Sequence, residues 1–210
     1  AVGTDALSVN TTASYNTALG ASALSANTSG TGNAGIGFES LKSNTTGGHN
    51  TGCGYQSLEN NTEGSYNSAV GSQCMFNNTT GNYNNAIGYE ALYTNTTGSY
   101  NSALGYQTLR LNTNGSSNTA VGSFSMDANT EGGNNVAFGS NTLSENTTGN
   151  NNTAIGRQAM NNSTTQSNNT AVGYRALLSQ TTADQNTAVG ADCMYTNTTG
   201  EYNVAMGFMT

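Results

Sequence analysis

The stretch Asn84-Asn85-Ala86-Ile87-Gly88-Tyr89-Glu90-Ala91-Leu92 is closely followed by a second copy, Asn101-Ser102-Ala103-Leu104-Gly105-Tyr106-Gln107-Thr108-Leu109. The glycine in these words recurs every seventeen residues along the whole chain, with no insertion or deletion. The series is Gly3, Gly20, Gly37, Gly54, Gly71, Gly88, Gly105, Gly122, Gly139, Gly156, Gly173, Gly190 and Gly207. Such a strict period is typical of repeat proteins, in which each unit packs only on its neighbours.

Each repeat can be numbered from its glycine, which takes position 0. Position 4 is Leu or Met, as in Leu92, and position 16, directly before the next glycine, is apolar, as in Ile87. Position 8 is always threonine and position 13 is always asparagine. These fixed positions carry much of the structural information of the repeat.

The repeat favours short strands and turns over helix. Seventeen residues is not a whole number of helical turns, and Gly, Asn, Thr and Ser are weak helix formers. Asn95–Gly98 has the residues of a turn, because Asn and Gly tolerate left-handed backbone angles. Residues 118–122 predict one short strand, and residues 106–109 predict a second. We therefore predict an all-β protein, a parallel β-solenoid or β-roll of about thirteen coils, with residues 1–210 forming a single repetitive domain.

Stacking of like residues on like residues explains the invariant positions. In a parallel stack, each asparagine of position 13 lies over the next one, so we expect a side-chain amide ladder along the axis. Threonine and glycine would form further ladders. The predicted structural residues are Asn16, Asn50, Asn84, Asn101, Asn118, Asn152, Thr62, Thr96, Thr130, Gly71, Gly88 and Gly105.

A column of alanines bears on assembly. Alanine usually precedes the apolar residue of position 16, as in Ala69-Val70 and Ala86-Ile87. Neighbouring residues of a strand face opposite sides. If Val70 points into the coil, Ala69 points out, and a stripe of small residues would permit the close approach of another chain. We expect a parallel homo-oligomer of three chains, a homotrimer. The alternative is that this stripe is merely a surface of small residues.

The words Asn67-Ser68-Ala69-Val70-Gly71 and Asn203-Val204-Ala205-Met206-Gly207 resemble the head repeats of trimeric autotransporter adhesins. They are also similar to the repeats of phage tail fibres that end in an endosialidase-type chaperone domain. The resemblance covers the whole chain and implies a left-handed parallel β-roll, three chains side by side, displayed on a cell surface or a virion. The repeat here is longer than that of the adhesin heads and carries an additional Asn-Thr-Thr-Gly turn.

Composition and charge limit the choice of partners. The net charge is −7, and only Lys42, Arg110, Arg157 and Arg175 are positively charged. Nucleic acid is therefore not an expected partner, because phosphate binding requires clustered cations. No apolar run approaches the ~20 residues that span a membrane. The first residues already lie within a repeat, so we expect residues 1–210 to be part of a longer array.

The residues do not predict an enzyme, a metal site or a cofactor. The only histidine, His49, occupies a position that holds tyrosine or asparagine in other repeats. A calcium-binding repeat should carry acidic residues in a recurring position. Asp5, Glu39 and Glu90 share position 2, but Gln, Ser, Phe and Arg occur there too. The three cysteines, Cys53, Cys74 and Cys193, replace small or apolar residues, and we expect no disulfide.

Aromatic positions are the best candidates for a contact surface. Tyr66, Tyr83 and Tyr100 share position 12, whereas Tyr89 and Tyr106 share position 1. Exposed rings can stack on sugar rings, so these five tyrosines are candidate glycan contacts, although packing between coils explains the same pattern. Adjacent threonines such as Thr96-Thr97 raise an ice-binding alternative. Asn-x-Thr strings, as at Asn44 and Asn95, are glycosylation acceptors in a eukaryotic secretory pathway.

These observations together predict a structural or adhesive segment of an extracellular fibre, the shaft or head of a trimeric adhesin or a phage tail fibre. It would act as a rigid spacer and a multivalent display surface, with a cell-surface glycan or receptor as a partner. A subunit of a self-assembling extracellular filament is the alternative, and an ice-binding solenoid is the third.

Overall fold

A computed structural model describes residues 1–180 and 182–210. The chain divides into two compact halves, Ala1–Asn101 and Ser102–Thr210, and each is described by itself. Both consist of stacked seventeen-residue coils, and no helix occurs in the described ranges. The predicted all-β parallel solenoid is therefore confirmed, while its handedness stays a prediction.

Each coil contributes one strand of three residues, at positions 14 to 16. The N-terminal half contains β1 Thr17–Leu19, β2 Ala34–Ile36, β3 Thr51–Cys53, β4 Ser68–Val70 and β5 Asn85–Ile87. The C-terminal half contains β6 Ser102–Leu104, β7 Thr119–Val121, β8 Val136–Phe138, β9 Thr153–Ile155, β10 Thr170–Val172, β11 Thr187–Val189 and β12 Val204–Met206. Within each half the strands pair in parallel in chain order, and like positions are partners, as Ala69 with Ala86.

The second strand predicted at residues 106–109 is wrong. This segment forms turns, and its backbone is left-handed at Gln107 and Leu109, both at φ 52°. Positions 2, 4 and 12 of every described coil have a positive φ. Gly32, the one glycine at position 12, has φ 70°. These angles curve the chain around the coil, and an extended strand cannot form where φ is positive.

Left-handed angles are costly for residues that have a Cβ, by roughly 1–2 kcal/mol each. The penalty is worst for β-branched side chains. Positions 2, 4 and 12 hold no Val, Ile or Thr anywhere in this threonine-rich chain. The sequence thus avoids the residues that the local backbone cannot accept, and this exclusion was a signal that could have identified the turns.

Three positions build the interior of each coil. Leu or Met at position 4, the small residue at position 3 and the alanine or glycine at position 15 are buried in all but the terminal coils. Leu58, for example, lies buried beside Ser57. Burial of one leucine side chain contributes roughly 1.5–3 kcal/mol, so the core depends on many coils rather than on any one.

The expected orientation of the strand residues is reversed. Ala69 and Ala86 are completely buried, whereas Val70 and Ile87 are 40% and 52% exposed. The reason is space. At Gly52, which replaces the strand alanine, an added Cβ would lie 2.5 Å from Oγ of Ser40, 3.1 Å from the carbonyl oxygen of Ser57 and 3.4 Å from Cγ of Leu41. The leucine of position 4 fills the narrow coil, so only alanine or glycine fits opposite it and the larger residue must point out. The predicted outward stripe of small residues does not exist.

The recurring glycine is needed for two reasons. Its φ is +138° at Gly71 and +141° at Gly88 and Gly105, a region that L side chains rarely adopt. An added Cβ at Gly71 would also lie 2.7 Å from the carbonyl carbon of Gly88 in the next coil. Position 0 is therefore closed to every other residue.

The asparagines of position 13 bond mainly to backbone rather than to each other. Oδ1 of Asn50 accepts the N–H of Asn67 at 2.9 Å, and Nδ2 of Asn50 donates to the carbonyl of Gly64 at 2.7 Å. Each side chain thus ties its own coil to the following one. Equivalent backbone bonds are made by the other predicted ladder residues, Asn16, Asn84, Asn118 and Asn152. The N–H of Asn101 donates to Asn84.

The continuous amide ladder lies instead at position 7. Nδ2 of each asparagine donates to Oδ1 of the asparagine one coil earlier, from Asn27 to Asn10 through Asn95 to Asn78 in the N-terminal half, over 2.6–3.0 Å. In the C-terminal half Asn129 bonds Asn112 and Asn146 bonds Asn129. These side chains are almost completely buried. Position 7 is less uniform in sequence than position 13, so its ladder was missed.

The Asn-Thr-Thr-Gly turn binds the next coil through three consecutive N–H groups. Those of Thr79, Thr80 and Gly81 all donate to the carbonyl of Thr96, over 3.0–3.2 Å. The hydroxyl of Thr79 donates to the same oxygen at 3.0 Å. The N–H and hydroxyl donors of one turn thus bond to a carbonyl of the next coil, so each coil supplies the acceptor that its neighbour needs.

One region of the C-terminal half departs from this pattern. Ser163 and Gln180 replace the asparagine of position 7, and Gln166 and Ala183 replace the glycine of position 10. An added Cβ at a regular glycine such as Gly64 would lie 2.5 Å from the asparagine Oδ1. Asparagine and alanine nevertheless occur together in the first coil, where Nδ2 of Asn10 donates to the carbonyl of Ala13 at 3.1 Å. Oδ1 of Asn146, where the ladder ends, is buried and has no hydrogen-bond partner among the described residues.

Candidate functional site

The outer surface of the strands is the most uniform exposed feature of the chain. Its apolar residues stand at position 16, one per coil, and are half-buried or exposed. They are flanked by the small, polar or valine side chains of position 14. We call positions 14 and 16 together the strand face. Its apolar members include Leu19, Ile36, Cys53, Val70 and Ile87 in the N-terminal half, and Leu104, Val121, Phe138, Ile155, Val172, Val189 and Met206 in the C-terminal half.

The strand face carries no charge. Positions 14 and 16 hold no Asp, Glu, Lys or Arg anywhere in the sequence, although the chain as a whole has a net charge of −7. The acidic residues lie on other positions, for example Glu39 and Glu90 at position 2 and Glu63 at position 9. An exposed, uncharged and partly apolar strip of this kind is typical of a surface that contacts another molecule.

The aromatic residues of position 12 form a stack in the N-terminal half. Ring centroids are 4.9 Å apart for His49 and Tyr66, 5.0 Å for Tyr66 and Tyr83, and 5.1 Å for Tyr83 and Tyr100. The interplanar angles are 9°, 2° and 7°. We call these four residues the tyrosine column. The faces of Tyr66 and Tyr83 are covered by neighbouring rings, so these two present their edges and hydroxyls, rather than their faces, to a ligand.

The other candidate glycan contacts stand at position 1. Tyr89, in the N-terminal half, and Tyr106, in the C-terminal half, are both exposed. Tyr106 packs edge-on against Phe124, with centroids 5.3 Å apart, and Phe38 and Tyr55 stack at 5.6 Å. Position 1 therefore combines packing between coils with exposure to solvent, and its tyrosines remain candidate contacts.

Of the adjacent threonines considered for ice binding, those of position 8 use their hydroxyls internally, whereas those of position 9 are exposed. Oγ1 of Thr62 donates to the carbonyl of Thr79 at 3.1 Å, and Oγ1 of Thr130 donates to the carbonyl of Thr147 at 3.1 Å. The carbonyl of Thr96 receives the hydroxyl of Thr79. A hydroxyl that bonds the adjacent coil is not free to organise water, so position 8 is a structural ladder.

Where the Asn-x-Thr string begins at position 7, its first asparagine is buried in all but the terminal coils, whereas Asn151 and Asn168 begin such strings at exposed sites. Asn44 and Asn95, for example, are fully buried members of the amide ladder. A glycan attached to the amide nitrogen would break the ladder hydrogen bond. It would also break the bond from the same amide to the carbonyl of position 10. In the folded coil the buried asparagines of position 7 are inaccessible to glycosylation.

Charged residues form two small clusters. Nζ of Lys42 lies 2.7 Å from Oε1 of Glu39 and 4.0 Å from Oε1 of Glu59. The hydrogen bond from Lys42 lowers the pKa of Glu39, while burial raises the pKa of Glu59. In the C-terminal half Nε of Arg175 lies 2.7 Å from Oδ1 of Asp192. Lys42–Glu59 and Arg175–Asp192 join adjacent coils, whereas Lys42 and Glu39 belong to the same coil. Surface ion pairs of this kind contribute little to stability.

The described residues contain no group of three or more His, Cys, Asp or Glu side chains close enough to hold a metal ion. His49 lies in the tyrosine column, stacked on Tyr66. The best-defined pocket is lined by Arg175, Asp192, Tyr195 and residues of the last coil. Within the same described ranges, no helix is long and apolar enough to cross a membrane.

The three thiols are free and differ in exposure. Cys53 is half-buried on the strand face, whereas Cys74 and Cys193 are buried at position 3. Burial raises the pKa of Cys74 to about 12, and its Sγ lies 3.3 Å from the carbonyl of Ala86. Cys74 is thus a core residue in the protonated form.

Comparison of the chain with protein-family profiles, with curated proteins and with solved structures gave no match.

Proposed function

We propose that this chain is a segment of an extracellular fibre, the shaft or head of an adhesin or tail fibre, that serves as a rigid spacer and display surface. The proposal is supported by the stacking of near-identical coils, since backbone and side-chain hydrogen bonds run from each coil to the next within both halves. The resemblance of words such as Asn67–Gly71 to fibre repeats points the same way.

The single observation that carries the proposal is the strand face. One apolar side chain per coil is exposed in register, on a surface that holds no charge in an acidic chain. A second copy of the same chain, running parallel, has the same spacing and meets this surface without like-charge repulsion. We therefore propose assembly into a parallel homo-oligomer, a trimer as in the resembled families, through the strand face rather than through a stripe of alanines.

The test is the oligomeric state of a variant with a charged strand face. Val70→Asp combined with Ile87→Asp should leave the circular dichroism spectrum unchanged, because both side chains point outward. Light scattering should give a trimer for the parent chain and a monomer for the variant. Thr80→Asp is the matched control, since position 9 is exposed and holds glutamate in other coils. A monomeric parent chain, or a variant that assembles as the parent does, would refute the assembly.

Cys53 supplies a second readout, because it lies on the strand face. In the assembled chain its thiol should react slowly with a thiol reagent, and the double variant should restore fast reaction. Equal rates in the two proteins would place the interface elsewhere.

Display of binding groups is the other part of the proposed role. The exposed tyrosines at position 1, Tyr89 and Tyr106, repeat along the axis and would act as weak contacts to a cell-surface glycan or receptor. Binding of the chain to immobilised glycans, compared with a Tyr89→Ser and Tyr106→Ser variant, tests this part. Serine is matched because it occurs at position 1 in Ser72 and Ser123.

A further inference from the structure

Three consecutive members of the tyrosine column are phenols with the same backbone geometry. Tyr66, Tyr83 and Tyr100 have φ of 59°, 56° and 60°, so their side chains leave successive coils in the same direction. Their ring centroids are 5.0 and 5.1 Å apart, and all three side chains are exposed at the surface. The column therefore presents a row of accessible phenols at a fixed short spacing.

Phenols at this distance are suited to oxidative coupling. A one-electron oxidant removes a hydrogen atom from a tyrosine hydroxyl, and the resulting radical has spin density on the ring carbons ortho to the oxygen. Two such radicals on adjacent coils need no diffusion to meet. Because the side chains are exposed, rotation about their side-chain bonds suffices to bring the ring edges together.

We propose that the tyrosine column is a site of dityrosine cross-linking between coils, joining Tyr83 to Tyr66 or to Tyr100, with hydrogen peroxide and a haem peroxidase as oxidant. Each phenol loses one hydrogen atom, and the peroxide accepts both and becomes two molecules of water. The new bond joins two ortho carbons, and the hydrogen on each of these carbons moves to the oxygen, which restores both hydroxyls. The chain becomes lighter by two hydrogen atoms for each bond formed.

Two other stacked pairs contain only one phenol each. Tyr93 stacks on Phe76 with centroids 5.3 Å apart, and Tyr55 stacks on Phe38. His49 ends the tyrosine column with an imidazole. The consequence of coupling is a covalent side-chain cross-link between coils that otherwise contact each other through hydrogen bonds and packing. The inference rests on the geometry of the column and does not depend on the proposed fibre role.

The experiment mixes isotope-labelled and unlabelled chains at low concentration and treats them with hydrogen peroxide and peroxidase. We expect dityrosine fluorescence, and we expect mass spectrometry of the digested protein to join the peptide of Tyr83 to that of Tyr66 or Tyr100. Both peptides of a pair should carry the same isotope, because the bond forms within one chain. Pairs of mixed isotope as the main product would overturn the proposal.

Two variants complete the test. Tyr83→Asn removes the central ring and should fold, because asparagine occupies position 12 with positive φ at Asn134, Asn151 and Asn168. The yield of cross-linked peptides from the tyrosine column should fall about tenfold, since Tyr66 and Tyr100 are then separated by two coils. Tyr93→Ser removes an aromatic residue from position 5, where Ser144 occurs naturally, and should leave the yield unchanged. Equal yields for Tyr83→Asn and the parent chain would refute the site.

Discussion

Nδ2 of Asn61 donates a hydrogen bond of 2.7 Å to Oδ1 of Asn44 and a second one, of 2.9 Å, to the carbonyl of Gly64 in its own coil. One amide thus closes its own turn and joins the coil before it. Both asparagines are fully buried, so water cannot replace either bond. The stability of the stack should depend strongly on this position.

We expect Asn61→Ala to lower the free energy of unfolding by about 2–4 kcal/mol, because it leaves Oδ1 of Asn44 buried without its donor and opens a small cavity. Urea denaturation followed by circular dichroism measures the change. Asn60→Ser is the control, since Asn60 is only half-buried and serine occurs at the same position in Ser43. Equal midpoints for the two variants would contradict the role of the ladder.

The left-handed backbone of position 4 makes a second prediction. Leu58 is buried with φ 53°, a conformation that a β-branched residue resists. Leu58→Ile should destabilise the chain by about 2 kcal/mol or more, whereas Leu58→Met, which copies Met75, should cost less than about 1.5 kcal/mol. Thermal or urea unfolding compares them. If isoleucine were tolerated as well as methionine, the assigned backbone would be wrong.

The interior strand position should reject a larger side chain. Ala69→Val adds two methyl groups where even a Cβ is closely surrounded, and we expect a loss of about 1–3 kcal/mol in the free energy of unfolding. Val70→Ala, one residue along and facing outward, is the matched control and should change the monomer's stability far less. If Val70→Ala lowered the free energy of unfolding more than Ala69→Val, the strand would face the other way.

The carboxyl group of Glu59 gives a dependence on pH. Burial raises its pKa above the ordinary value of 4.5, so the folded chain binds this proton more tightly than the unfolded chain. Its contribution to stability is therefore lost as the pH rises from 4.5 through the raised pKa. Glu59→Gln should be more stable than the parent at pH 7, and the difference should shrink below pH 4.5. Urea titrations at several pH values measure this difference, and a difference that stayed constant with pH would contradict the burial of Glu59.

Thiol reactivity should separate the three cysteines. The double variant Val70→Asp, Ile87→Asp is expected to be a monomer, so its strand face is uncovered. Cys53 in this variant should react rapidly with a thiol reagent at pH 8. Cys74 should not react before unfolding, because its thiol is buried with a pKa of about 12. Cys193 is also buried and should behave in the same way. Mass spectrometry of the modified protein identifies the site, and early labelling of Cys74 would contradict the assigned core.

The repeat predicted the class of fold because a fixed period with turn residues admits few other structures. The strand at positions 14 to 16 was predicted from words such as Thr119-Ala120-Val121. Its orientation was not, because the usual expectation that the larger residue is buried fails in a coil whose interior Leu109 already occupies. The turn at residues 106–109 was wrongly taken for a second strand. The absence of Val, Ile and Thr from positions 2, 4 and 12 was the better indicator of the left-handed turns.

The candidate surface was only partly visible in the sequence. Tyr66, Tyr83 and Tyr100 could be placed in one row from their spacing, but their face-to-face stacking depends on a shared left-handed backbone that spacing does not reveal. The apolar strand face was assigned to the interior, and assembly was therefore predicted from the wrong column.

The pairing of every coil with an almost identical neighbour has a consequence for how such a gene changes. Duplication or deletion of one whole repeat preserves the hydrogen bonds between the carbonyl of position 8 and the N–H groups of the preceding turn. The gain of a single codon would instead shift the register and break the contacts of the affected coil. The number of coils can therefore change during evolution by recombination between copies, without any change in the core residues of a coil.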